Sequence, residues 1–257
     1  MVYRSLNVQK TGHVMVINII DPAGDQSTML ALSDELAELC VEIAWDDDIR
    51  VTLLSGFAQT SFCMGKGSND AVSKVGKHPG NQPSSIAEPV ASLECPVIAA
   101  IDGDAIGQGL ELALACDMRI TAETAHFGLP HITKGLIPWD GGTQRLSRLV
   151  GKAKAMEMIL TGEIIDAREG HRIGLVNTVV PPGELVAVGM DMAGEMATKG
   201  PIALRYAKEA IHRGMDLTLE QGLRLEADLY LLIHTTRDRT EGITAFREKK
   251  TPRFRGK

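Results

Sequence analysis

The sequence predicts an α/β core with a helical C-terminal extension, and two observations carry that expectation. Short, β-rich apolar runs alternate with amphipathic helical stretches to about residue 180, the pattern of strands joined by crossover helices. From Leu185 to about Arg239 the helical pattern continues without another strand.

The elements follow in order. Val14 to Ile20 (VMVINII) is an apolar run bounded by Gly12 and by Asp21-Pro22-Ala23-Gly24, so it reads as a strand. Thr28 to Trp45 places Leu32, Leu36, Leu39 and Ile43 three or four residues apart, on one helix face. Val51 to Ser55 (VTLLS) is a second strand, closed by Gly56. From Phe57 to about Pro89 the chain is rich in Gly, Ser, Asn and Pro and reads as a mobile loop, either a ligand loop or a surface insertion. Val97 to Ile101 (VIAAI) is a third strand. It leads through Gly103, Gly107 and Gly109 into the short, apolar helix LELALAC. Met118 to Thr121 and Val176 to Val180 are further strands, and Gly151 to Thr161 is helical. There is no internal repeat and no low-complexity tract.

Bulk properties set limits. A chain of 257 residues fits one large domain, or one with a small appendage. Its hydrophobic fraction of 44% and charged fraction of 23% are those of a soluble globular protein. A net charge of -6 disfavours a nucleic-acid or acidic-membrane surface. No apolar run is long enough for a transmembrane helix, and MVYRSLNVQK lacks the apolar stretch of a signal peptide. Cys40, Cys63, Cys95 and Cys116 form no C-x-x-C pair and no zinc spacing, so no metal is expected. A reducing cytoplasm is the expected location.

The segment from Cys95 to Leu149 carries the chemistry. A strand runs into a glycine turn and then a helix, whose first N–H groups lack intrahelical acceptors. Together with the positive end of the helix dipole, they can hold a developing oxyanion without a side-chain charge. The same pattern also describes a tight turn with no ligand.

The segment PVIAAIDGDAIGQGLELALACD (Pro96 to Asp117) resembles the enoyl-CoA hydratase/isomerase (crotonase) family pattern P-V-I-A-A-v-x-G-x-A-x-G-G-G-x-E-L-A-l-a-C-D. FGLPHITKGLIPWDGGTQRL (Phe127 to Leu146) resembles the family's F-G-x-P-E-x-x-x-G-i-x-P-x-x-G-G-t-q-r-L, and SFCMGKGSND (Ser61 to Asp70) its a-F-c-a-G-a-D-l-k-e. LTGEIIDAREGHRIGLVNTVVP and TEGITAFREKKTPRF match as well, so the likeness spans nearly the whole chain. The resemblance implies a crotonase-like spiral of ββα units over residues 1-190 and a helical C-terminal trimerisation region over 191-257. It implies a homotrimer or homohexamer, and an acyl-CoA substrate that brings coenzyme A with it, with no separate cofactor.

It also implies residue roles. The backbone N–H groups of Lys66 and Gln108 would form the oxyanion hole, with Gln108 standing where the family usually has glycine. Cys63, Gly65, Gly67, Gly107, Trp139, Phe246 and Lys249 would line the substrate site. Glu111 matches the first catalytic glutamate, and its other reading is a carboxylate favoured by the helix dipole. The second glutamate of the family is His131 here. It either protonates the α-carbon while Glu111 activates water, or only shapes the pocket. Asp140 stands where some members carry a catalytic aspartate, and it reads equally as an N-cap for a helix beginning near Gly142. The implied activity is a hydro-lyase acting on an α,β-unsaturated acyl-CoA, and the Glu111, His131, Asp140 set, with the bulky Trp139, suggests a specialised acyl group, cyclic or branched. The alternatives are an isomerase, a thioester or ring-opening hydrolase, and a non-catalytic acyl-CoA-binding member.

Overall fold

The structure, a computed structural model, describes residues 3–20, 26–56, 62–63 and 85–257. Six strands form the main sheet, in the order β1 (Leu6–Thr11), β2 (Val14–Ile19), β3 (Val51–Gly56), β4 (Val97–Ile101), β6 (Met118–Ala122) and β9 (Thr178–Val180). β5 (Ala105–Ile106), β7 (His126–Gly128) and β8 (Ile164–Asp166) form a second, smaller sheet. β1 and β2 are an antiparallel hairpin about Gly12, and the remaining neighbours of the main sheet are parallel.

The central strands β3 and β4 are buried on both faces, so residues pointing either way are mostly apolar. Val97, Ala99 and Ile101 join a core cluster with Leu32, Leu36, Leu39 and Ile43 of helix α1 (Gln26–Trp45). The alternate residues Ile98 and Ala100 join Val51, Leu53 and Ile120 against Leu185, Ala193 and Ala197. Those last three belong to α7 (Leu185–Ala197). Gly189 lets α7 lie close to the sheet, since a Cβ there would stand 3.2 Å from Leu53 Cδ1.

The chain winds in turns of main-sheet strand, small-sheet strand and helix. β4 and β5 lead into α3 (Gln108–Ala115), and the short α2 (Ala87–Ala91) precedes them. β6 and β7 lead into a 3-10 helix (Pro130–Lys134), then α4 (Gly142–Val150) and α5 (Lys152–Thr161). α6 (Ala167–Arg172) links β8 to β9. Every residue of α3 is buried, which places its N-terminus inside the molecule. Arg119, itself buried, donates to Ala113 O at 3.2 Å and Cys116 O at 2.6 Å, capping the other end of α3.

After α7 come α8 (Pro201–Gly214), α9 (Leu219–Ile233) and α10 (Arg237–Glu248). Asp117 ties α8 to the core through Lys208 and His212, each at 2.7 Å. The expected boundary at residue 190 falls inside α7. That helix packs on the main sheet through Leu185, Ala193 and Ala197. The expected loop to Pro89 also ends earlier, because Ala87–Pro89 already belong to α2.

Candidate active site

The site starts at one glycine. Gly107 has φ 62 and ψ -128, the mirror image of an extended L-residue conformation that only glycine adopts readily. Its N–H donates to Gly128 O at 2.9 Å, which ties the turn to β7. Its carbonyl accepts from Leu110 N at 3.0 Å and Glu111 N at 3.1 Å, which starts α3. Gln108 is therefore the first helical residue, with no intrahelical acceptor for its N–H. It is buried, and the backbone permits the glutamine because the strained dihedrals fall on Gly107 instead. Lys66, Gly65 and Gly67 lie outside the described residues. Cys63 is buried under α3, where a Cβ on Gly109 would stand 3.5 Å from its own Cβ. Burial pushes the Cys63 thiol up to about 12, which keeps it uncharged.

One helical turn on, Glu111 is 0% exposed. Its Oε1 accepts from Asp140 N at 2.8 Å and Gly142 N at 3.0 Å. Its Oε2 is buried with no hydrogen-bond partner among the described residues. That oxygen lies 3.9 Å from Nε2 of His131, too far for a hydrogen bond but close enough for the two groups to sense each other. His131 comes from the 3-10 helix. Its ring lies beside the glycine turn, since a Cβ on Gly107 would be 3.9 Å from its Cε1. Its Nδ1 also lacks a hydrogen-bond partner among the described residues.

Burial acts on the two groups in opposite senses. It pushes the Glu111 carboxyl up to about 7; the Gly142 N–H opposes this, and the Asp140 charge adds to it. It pushes the His131 imidazole below its ordinary value, with Leu129 backbone opposing. Both shifts favour an uncharged pair, a protonated carboxyl beside a neutral imidazole.

Asp140 does not make the expected N-cap of α4. Its Oδ1 accepts from Ser85 Oγ at 2.5 Å, and its Oδ2 from Ile86 N at 3.0 Å and Ala87 N at 3.1 Å. The carboxylate thus caps α2, and not α4, whose N-cap is Gly141. The cap spans more than fifty residues of sequence, so no local motif announces it. Trp139 beside it is half-buried. Phe246 and Lys249 are exposed at the C-terminal end of α10, and Lys249 takes a left-handed conformation with φ 55. Gly142 is a residue the motif contains but whose purpose sequence reading missed. A Cβ there would stand 2.9 Å from Glu111 Oε1 and from Pro138 Cβ. Gly142→Ala is therefore expected to displace the carboxyl, lowering kcat and destabilising the fold by about 1–3 kcal/mol. Thermal denaturation and steady-state kinetics check both effects, and a wild-type kcat would show that the close approach is dispensable.

A glycine turn at a buried helix start thus brings a buried carboxyl and an imidazole together at one place. The sequence profile described as enoyl-CoA hydratase/isomerase matches residues 9–257. The 2,3-dehydroadipyl-CoA hydratase of Escherichia coli is 37% identical over 254 residues, covering 98% of this chain and 99% of the relative. The crotonyl-CoA hydratase of Syntrophomonas wolfei is 36% identical over 263 residues, covering 99% of each. The crystal structure of an enoyl-CoA hydratase from Bacillus anthracis superposes with a TM-score of 0.87 at 38% identity, covering 99% of this chain and 100% of that one. The chain belongs to the enoyl-CoA hydratase/isomerase family. It has the crotonase fold and is an enoyl-CoA hydratase-like lyase. No helix among the described residues is long and apolar enough to cross a membrane.

Proposed function

We propose that the protein adds water across the α,β double bond of an acyl-CoA thioester, with Glu111 and His131 dividing the two proton transfers. The observation that carries this reading is Glu111 Oε2, buried without a partner among the described residues and 3.9 Å from Nε2 of His131, whose ring lies beside Gly107. A buried polar atom without a partner is costly unless a ligand uses it.

The thioester oxygen accepts from the Gln108 N–H and, by the family resemblance, from the Lys66 N–H. Those donors hold the negative charge that forms when water attacks the β-carbon. Neutral His131 takes a proton from the attacking water. Protonated Glu111 gives its proton to the α-carbon. The pair is left as imidazolium and carboxylate, and transfer of one proton from His131 to Glu111 resets it. This reverses the roles expected from the resemblance, because burial favours the protonated acid and the neutral base. The scheme calls on no metal and no redox cofactor, and coenzyme A arrives with the substrate. Asp140 serves the site through its backbone, its carboxylate being engaged by α2.

The half-buried Trp139 and the imidazole at position 131 favour a flat or cyclic acyl group over a short straight chain. The exposed Ile211, Leu219, Leu223, Tyr230, Leu231 and Phe246 on α8 to α10 suit a subunit interface, in keeping with a trimer or hexamer. Four free, buried cysteines suit a reducing compartment such as the cytoplasm.

The test is loss of the conjugated-thioester absorbance, with crotonyl-CoA and a panel of cyclic enoyl-CoAs. No change with any substrate would overturn hydration. Free CoA, read with a thiol reagent, would point to hydrolysis. Exchange of the α-proton without water uptake would point to isomerisation, and tight binding without turnover to a binding protein. The proton assignment makes a further prediction. Since turnover needs Glu111 protonated, kcat/KM is expected to fall as pH rises through about 7. On the acid side it falls as His131 becomes protonated, below the ordinary histidine value. The two limbs belong to the coupled pair. A profile that keeps rising to pH 9 would assign Glu111 as the base.

A further inference from the structure

We propose that Asp140 and Arg145 are positioning residues that aim Glu111 Oε2 into the site by clamping the turn whose amides hold Oε1. The inference rests on the hydratase reading above.

Residue 140 is held at every polar group it has. Its N–H donates to Glu111 Oε1 at 2.8 Å. Its carbonyl accepts from Arg145 Nη1 at 2.9 Å. Its carboxylate takes Ser85 Oγ and the Ile86 and Ala87 amides, at 2.5, 3.0 and 3.1 Å. Arg145 closes the ring, because its Nη2 meets Glu88 Oε2 on α2 at 3.2 Å. The circuit runs from Glu111 through Asp140 to the start of α2, along α2 to Glu88, and back through Arg145 to Asp140. Gly141, at φ 96, lets the guanidinium lie against the turn, since a Cβ there would stand 2.2 Å from Nη1.

The consequence is rotational. Two amides fix Oε1, so the other oxygen has one direction left, toward His131. Without the clamp the turn can tilt, and Oε1 and Oε2 can exchange places. A misplacement of about 1 Å in a reacting group can cost about 10²-fold in rate. The exposed Glu88–Arg145 pair contributes little stability by itself. Its role here is to set geometry.

Charges facing Glu111 come from three elements: His131 on the 3-10 helix, Asp140 ahead of α4, and Arg145 on α4. Asp140 raises the Glu111 proton affinity and Arg145 lowers it. Asp140 and Arg145 thus act on Glu111 by charge as well as by position; the pH profile reads the first and kcat the second.

The experiment uses the full chain, with the acyl-CoA that the wild type turns over. Arg145→Ala and Asp140→Ala are expected to lower kcat by about 10- to 100-fold with KM within about 2-fold, and Arg145→Lys to recover part of the loss. Asp140→Asn keeps the shape and removes the charge. It should move the alkaline limb of kcat/KM to lower pH, and Arg145→Ala should move it to higher pH. Circular dichroism and melting curves confirm folding. Should Asp140→Ala fail to fold, Arg145→Ala and Asp140→Asn still decide the matter. Wild-type kcat in folded Arg145→Ala, or an unmoved limb in Asp140→Asn, overturns the inference. Absence of hydration by the wild type overturns the underlying reading instead.

Discussion

Glu111→Gln is expected to abolish turnover while making the fold more stable above neutral pH. The side chain is fully enclosed, and Gln Oε1 can accept the same Asp140 and Gly142 amides at the same places. What it cannot do is donate or accept a transferable proton, so kcat should fall by about 10²–10⁴. The stability change follows from linkage. The carboxyl titrates near 4.5 when unfolded and at about 7 when folded. The folded state therefore holds the proton more tightly. Between those pH values unfolding releases a proton, so wild-type stability declines as pH rises through the window. By pH 8 the decline amounts to roughly 3 kcal/mol. Glutamine has no such titration. The two proteins should melt alike at pH 4.5, and the variant should melt higher at pH 8. A variant that melts lower at pH 8, or keeps wild-type kcat, would show that Glu111 is a structural carboxylate.

Gly107→Ala is expected to damage the site by a different route. Space is not the obstacle, since the nearest atoms to a new Cβ are in the His131 ring at 3.9 and 4.0 Å. The obstacle is the backbone, at φ 62 and ψ -128, a conformation that an L-residue enters only with strain of about 1–3 kcal/mol. Relief of that strain rotates the peptide between residues 107 and 108. The Gln108 N–H turns with it, away from the point where the thioester oxygen would sit. Loss of one such donor typically lowers kcat by about 10²–10³. Lower melting temperature with a larger loss in kcat than in acyl-CoA affinity is the expected pattern. If kcat/KM stayed at the wild-type value, Gln108 N–H would be no part of the oxyanion hole.

Both predictions concern residues within five positions of each other in sequence, and such residues were the legible ones. Gly107, Gln108 and Glu111 share one strand–turn–helix unit, so their relative placement follows from local geometry. His131 was legible as a departure from the family pattern. That its ring would face Gly107 and stop 3.9 Å from Glu111 Oε2 was not, because the 3-10 helix is placed by β7 pairing with β5 and β8. The small-sheet strands are two or three residues long, too short to show a period of two. β1 was missed for a related reason, its sequence LNVQKT being polar and mostly exposed.

The sequence by itself determined the main-sheet strands other than β1, the long helices, the glycine turn and the carboxyl on its helix, because each depends on residues a few positions apart. Only the tertiary structure decided the electrostatics. The push of Glu111 toward its protonated form and of His131 toward its neutral form comes from burial by elements far apart in the chain. The duty of Asp140 was decided the same way: its carboxylate is drawn to the amides of α2, whose hydrogen-bonding demand no pattern around residue 140 could reveal.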